Sequence, residues 1–167
     1  IKLIDNYITE IPDYFLIYNK DLEYLECNNA ISIGNMVLSS NKSMKEIYIP
    51  NTKKIGYHFL SNNKVLELLC APNIEEIGHN TLSQNQNLLV AYFPKLIRVG
   101  ISFLQFNNKL QVLYCPNLKK TSGLFVSNSK KLKIINIQKL SSKEQNKIYI
   151  NNQNNLGINK KILRKNN

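Results

Sequence analysis

The sequence predicts an α/β protein wound as a right-handed solenoid, with one short parallel strand in each 22-residue coil and an irregular, 3₁₀ or briefly helical return. Three observations carry this. The chain matches itself at a shift of 22, without insertion or deletion, from about Leu3 to Leu140. That period is too short for a pair of packed helices, which in helical repeats takes about 33 residues. Four of the units also set Pro just after a run of alternating apolar residues, the pattern of a strand that is then stopped.

One unit reads MKEIYIPNTKKIGYHFLSNNKV, and each of its parts has a physical reason. It opens on an apolar register occupied by Leu22, Met44, Leu66, Leu88, Leu110 and Leu132. The strand follows, in LEYLEC, MKEIYI, LELLCA, LVAYFP and LQVLYC, with Leu25, Ile47, Leu69, Ala91, Leu113 and Ile135 facing inward. Pro50, Pro72, Pro94 and Pro116 end it, since proline has no N–H for a strand ladder. An apolar residue followed by Gly34, Gly56, Gly78 or Gly100 predicts a sharp corner, where glycine accepts positive φ cheaply. Pieces such as YHFLSNN then suit one helical or 3₁₀ turn that drops Phe59 and Leu60 into the core, and Phe15, Phe59, Phe103 and Phe125 are expected to stack. Asn19, Asn41, Asn63, Asn85 and Asn107, with Ser129 ending their series, are read as structural, because an Asn side chain can bond backbone groups of its own turn.

The period divides the chain into a solenoid of about six coils over residues 1–140 and a cap with a basic tail over residues 141–167. Residues 1–21 fit the repeat without offering a cap, which suggests a preceding segment. Solenoid ends need covering. Ser141 with Glu144 predicts a short helix start, NKIYINN a last strand, and residues 141–155 a partial cap; NNQNNLGINKKILRKNN is expected to be poorly ordered.

These units resemble the BspA-like subfamily of leucine-rich repeats, whose motif runs L-x-x-I-x-I-P, then I-G, then Phe, Asn and the next Leu. The resemblance is carried by IYIPNTKKIG, CAPNIEEIG, YFPKLIRVG and CPNLKKTSG over about four fifths of the chain. The unit is one residue shorter between Pro and Ile-Gly than the common form. The resemblance implies a protein-binding scaffold without enzymatic activity in the repeats, found on bacterial surfaces, in secreted proteins and in some parasitic protists. It also implies the alternative of a repeat domain in a host-delivered bacterial effector whose catalytic part lies elsewhere.

Composition narrows the function classes. The 167 residues are 43% hydrophobic, enough for a core, and no apolar run is long enough to cross a bilayer. Asn, Lys and Ile make up 67 residues, a bias that an AT-rich genome produces without functional cause. The net charge of +11 is a gradient: residues 1–76 carry seven Lys against ten acidic residues, whereas residues 77–167 carry fifteen basic residues and only Glu144. Such asymmetry points to an acidic partner, an anionic polymer or a membrane surface, or serves solubility alone.

Strand alternation sends two columns outward onto the expected concave face: Tyr24, Glu46, Leu68, Val90, Val112 and Ile134, and Glu26, Tyr48, Cys70, Tyr92, Tyr114 and Asn136. From the third strand on they are almost wholly apolar or aromatic, as at protein interfaces, which predicts a protein ligand anchored on Tyr92 and Tyr114. The competing explanations are ordinary sheet preference and cover by another segment. Lys53, Lys54, Arg98, Lys119, Lys120, Lys130 and Lys131 are expected on the return side, and Lys160, Lys161, Arg164 and Lys165 in the tail. No nucleic-acid motif accompanies them, so specific nucleic-acid binding is not expected.

No catalytic residue, metal site or cofactor is expected. Cys27 and Cys115 lie four coils apart, roughly 19 Å at a coil spacing of about 4.8 Å, too far for a disulfide. Cys70 points the other way. His58 and His79 are expected to approach each other near the glycine corner, but without a third ligand. Glu75 and Glu76 diverge as neighbours, and neither a phosphate loop nor a nucleophile elbow is present.

Overall fold

In the computed structural model, which describes residues 1–152 and the side chains of all but residues 149–152, the chain winds into a solenoid of parallel strands. One row holds the longer strands: β1 (Lys2–Asp5), β3 (Tyr24–Cys27), β5 (Glu46–Tyr48), β7 (Leu68–Cys70), β9 (Val90–Tyr92), β11 (Val112–Tyr114) and β12 (Ile134–Asn136). Every hydrogen-bonded pair in it is in register at the repeat spacing, as in Leu25 opposite Ile47 and Ile47 opposite Leu69.

A second strand row, beyond the one strand per coil expected from the sequence, passes along the glycine corners. It comprises β2 (Glu10–Ile11), β4 (Ser32–Ile33), β6 (Lys54–Ile55), β8 (Glu76–Ile77) and β10 (Arg98–Val99), five strands in unbroken order. The apolar residue before each glycine is the buried partner in this row, as Ile33, Ile55, Ile77 and Val99 show. None of the described glycines has positive φ. They are required for a different reason: a Cβ on Gly78 would stand 2.5 Å from the Gly56 carbonyl carbon, and one on Gly100 would stand 2.5 Å from the His79 nitrogen. Successive coils approach too closely there for any side chain.

The return is neither 3₁₀ nor helical but a run of turns in which alternate non-glycine residues take positive φ, such as Met36, Leu38 and Ser40, then His58, Leu60 and Asn62. A left-handed non-glycine residue costs of order 1 kcal/mol. Inter-coil bonding offsets this, because the outer residues of each triplet donate to the following coil and the middle one to the preceding coil. Met36 N–H bonds Tyr57 O and Ser40 N–H bonds Ser61 O, whereas Leu38 N–H bonds Phe15 O. The middle residues Leu38, Leu60, Leu82, Leu104 and Val126 are wholly buried.

The core is continuous from Ile11 to Ile148. The phenylalanine stack is shorter than the register suggested: Phe103 stacks on Phe125, with ring centres 5.9 Å apart, and Phe93 joins from the strand side. Val37 and Thr81 hold that register between the other phenylalanines. At the C-terminal end, NKIYINN is not a strand but part of helix α1 (Ser142–Asn152). Ser141 Oγ accepts from Glu144 N–H at 3.3 Å, a cap that commits the segment to helix, and Ile148 enters the core. The expected tail with Lys160, Lys161, Arg164 and Lys165 lies outside the described residues. Among the described residues no helix is long and apolar enough to cross a membrane.

Candidate binding face

The long-strand row is two sheets, not one. β1, β3, β5 and β7 form a four-stranded sheet, and β9, β11 and β12 a three-stranded one. Between β7 and β9 the ladder lapses. Lys45, Glu67, Gln111 and Lys133 donate their N–H groups to the preceding coil, and Ile49, Phe93 and Cys115 donate to the following one. The equivalent N–H groups of Leu89 and Ala71 have no such partner among the described residues. The lapse falls where the inward chains are smallest, with Ala91 where other coils carry Leu or Ile, and Ala71 where the neighbouring coils carry Ile49 and Phe93. Leu69 is accordingly only half-buried, whereas Leu25, Ile47 and Leu113 in its register are wholly buried.

Two outward chains of the four-stranded sheet, Tyr24 and Glu26, are bonded to each other. Tyr24 Oη donates to Glu26 Oε2 at 2.6 Å, and Asn28 Nδ2 donates to Glu26 Oε1 at 2.6 Å. The bond to Glu26 pushes the Tyr24 phenol up to about 12. In return, the bonds from Tyr24 and Asn28 hold the Glu26 carboxyl below its ordinary range. Lys2 Nζ stands 5.1 Å above the Tyr24 ring, and Tyr48 lies 5.4 Å from Tyr24 at a tilt. Tyr24, Glu26, Glu46 and Tyr48 are all half-buried in this layer.

Beyond the break the face is different. Val90, Tyr92 and Ile134 are 50%, 53% and 49% exposed, and Leu68 on the near side is 42% exposed. Tyr92 and Tyr114 stack almost parallel, 4.9 Å between centres. Val112 and Tyr114 are half-buried between the neighbouring strands. The structure therefore brings Leu68, Val90, Tyr92, Val112, Tyr114 and Ile134 together as one apolar patch and leaves Tyr24, Glu26 and Tyr48 in a separate polar cluster.

Asparagines hold the rims of the face. Asn85 Nδ2 donates to Leu60 O while its Oδ1 accepts from Asn63 N–H, and Asn107 repeats this on Leu82 O and Asn85 N–H. Asn63 Nδ2 donates to Leu38 O. Asn19 and Asn41 work within their own coil, each Oδ1 accepting two N–H groups that lead into the strand. At the switch between the two modes, Asn41 Nδ2 and Asn63 Oδ1 are buried without a partner. A second ladder, which the sequence reading passed over, runs along the strand ends. There Asn29, Asn51, Asn73 and Asn117 each donate Nδ2 to a backbone oxygen of the preceding coil. Its signal is the Asn of one shared register, which follows Pro in Asn51, Asn73 and Asn117; in two coils that register holds Lys95 and Lys139 instead. Pro50, Pro72, Pro94 and Pro116 sit in those same turns.

The remaining polar residues do not converge. His58 and His79 approach each other near the glycine corner, His58 N–H donating to His79 O at 2.8 Å, but their rings are engaged separately: His79 Nδ1 accepts from Ile101 N–H at 2.9 Å and His58 Nε2 faces Asn80 Nδ2. Cys27, Cys70 and Cys115 are free; burial pushes the Cys27 thiol up to about 11 and the Cys115 thiol up further. No group of three or more His, Cys, Asp or Glu that could hold a metal ion occurs among the described residues. Lys54, Arg98 and Lys120 share the outward column of the short-strand row, where Arg98 pairs with Glu76, and Lys53 and Lys119 adjoin them. Lys130 and Lys131 are not on that side but in the turn leading into β12. The chain matches no protein-family model, no curated protein and no solved structure.

Proposed function

We propose that the chain is a non-catalytic protein-interaction module and that it captures its partner on the outward face of the long-strand row. In this reading it is a right-handed leucine-rich-repeat solenoid of the BspA-like kind, with the long strands on the concave side. The observation that carries it is the stacked pair Tyr92–Tyr114 set among exposed Leu68, Val90 and Ile134. Contiguous apolar surface of this kind, centred on rigid aromatic chains, is what interface cores are made of. The non-catalytic part of the reading rests on how the reactive groups are occupied. Glu26 is bound by Tyr24 and Asn28, His79 by the Ile101 amide, and the Cys27 and Cys115 thiols are held protonated by burial.

Replacing both Tyr92 and Tyr114 by Ala tests it. Anchors of this type contribute about 2 kcal/mol or more and two stacked rings do not add in full, so the double variant should lose at least ~30-fold in partner affinity. Its circular dichroism and melting temperature should stay close to those of the parent, because both rings lie outside the core. Unchanged capture by a folded double variant would defeat the reading.

A further inference from the structure

The charge around the apolar patch specifies its partner further. Lysines stand at both ends of the three-stranded sheet's outward strands. Lys109, Lys131 and Lys133 lie where the chain enters β11 and β12, and Lys95 and Lys139 lie in the turns that leave β9 and β12. All five are exposed, and none is in an ion pair among the described residues. Two of them are dearly placed: Lys95 and Lys139 occupy the register in which Asn29, Asn51, Asn73 and Asn117 bond the preceding coil, so cations stand where the fold elsewhere uses a structural asparagine. The only carboxylate of this half, Glu144, is turned toward its own helix start and the Thr121 amide. The four-stranded sheet has the opposite balance, with Glu23, Glu26, Glu46 and Glu67 on or beside its strands, and Glu23 already paired with Lys45.

An apolar centre inside a ring of unpaired cations is complementary to one kind of ligand. Resting on the protein-interaction reading above, we propose that the three-stranded sheet binds an acidic protein segment that places apolar or aromatic side chains on Val90, Tyr92, Tyr114 and Ile134 and its carboxylates on the flanking lysines. The acidic sheet across the break repels the same segment and so sets where it ends. A polynucleotide suits the site less well. Tyr92 and Tyr114 spend their facing ring surfaces on each other, and Val90 and Ile134 offer nothing to a base edge or a phosphate.

The test uses the full chain and short dye-labelled peptides in which Glu alternates with Leu and Phe, with matched peptides carrying Gln or Lys for Glu, and a uridine-rich RNA of similar length. Fluorescence anisotropy should show the Glu peptide binding at least about tenfold more tightly than the Gln peptide at low salt, with the Lys peptide excluded. The advantage should shrink as salt rises. The charge reversal K131E with K133E should remove it, and Y92A with Y114A should weaken the Glu and Gln peptides alike. If Glu and Gln peptides bind equally, or the lysine reversal changes nothing while the tyrosine pair still matters, the acidic-partner inference fails and the interaction reading stands. If the Glu peptide binds but the tyrosine pair is irrelevant, both fail and the attraction is charge alone. RNA outcompeting the Glu peptide, or no peptide binding at all, overturns the inference.

Discussion

The four-stranded and three-stranded sheets are built from the same 22-residue unit and lie on the same side of the molecule, yet they present opposite chemistry. In the first, Tyr24 and Asn28 bind Glu26 and the Tyr48 ring lies against Tyr24, so this cluster is engaged before any ligand arrives. In the second, apolar chains are exposed and the flanking lysines have no carboxylate partner among the described residues, Lys109 bonding only the Asn87 side-chain oxygen. The backbone ladder lapses between the two, while the short-strand row and the run of positive-φ turns pass through. What this teaches is that inward positions and coil-to-coil bonding specify the stack. Outward positions, carrying none of that load, are free to differ from one end to the other.

The continuity of the short-strand row is the part of this comparison most easily broken. Gly78→Val would drive a side chain into the Gly56 carbonyl and the Tyr57 nitrogen and should cost about 3 kcal/mol or more, enough to lower the melting temperature sharply or prevent folding. Gly123→Val is the control. Nothing lies within 4 Å of its Cβ position, so chemical denaturation should find it nearly unchanged.

The two modes of asparagine bonding give a graded test. Asn85→Ala strands the Leu60 carbonyl and the Asn63 amide in the interior and should cost about 2–3 kcal/mol. Asn41 loses a local turn cap and already has an unpartnered Nδ2, so Asn41→Ala should cost only about 1 kcal/mol. Equal destabilisation in urea melts would erase the distinction between the two halves.

The break itself should be visible in amide exchange. Leu89 and Ala71 should exchange at least about tenfold faster than Gln111 and Cys115, their bonded counterparts beyond it. Equal protection would mean that the two sheets are one in solution.

The smallest effect belongs to the polar cluster. Tyr24 should ionise near 12, and ultraviolet titration of Glu26→Gln should bring that transition down toward the ordinary tyrosine range. The sign follows from the shift: a phenol whose folded value is raised stabilises the fold below the unfolded value of about 10 and loses that contribution as pH rises through the folded one. Glu26, shifted down, contributes above the ordinary carboxylate range and loses its contribution as pH falls through its folded value. A phenol transition that does not respond to Glu26→Gln would show that the two side chains are not bonded in solution.

Much of this molecule is legible without coordinates, and the misses are informative. The inward register of Leu25, Ile47 and Leu113 was readable because burial in a parallel stack demands an apolar residue at every repeat. The glycines mark the right register, but close approach of successive coils and not positive φ requires them. A sequence shows that no side chain is tolerated, but conformational freedom and close approach leave the same mark. The turn run, with Leu38 and Leu60 held at positive φ, was invisible because leucine has no preference for that region, and only bonds to the neighbouring coils hold it there. The final segment read as a strand by its apolar alternation, and the Ser141–Glu144 cap decided for helix.

The sequence by itself determined the period, the parallel stack, the core register and the two outward columns, since each follows from repetition and the two-residue pleat. Only the tertiary structure decided that one column set divides into a satisfied polar cluster and an exposed apolar patch. That division depends on which side chains reach each other across coils and on where the ladder lapses. Repetition carries no information about either, because they arise from the departures that each coil makes from the common unit.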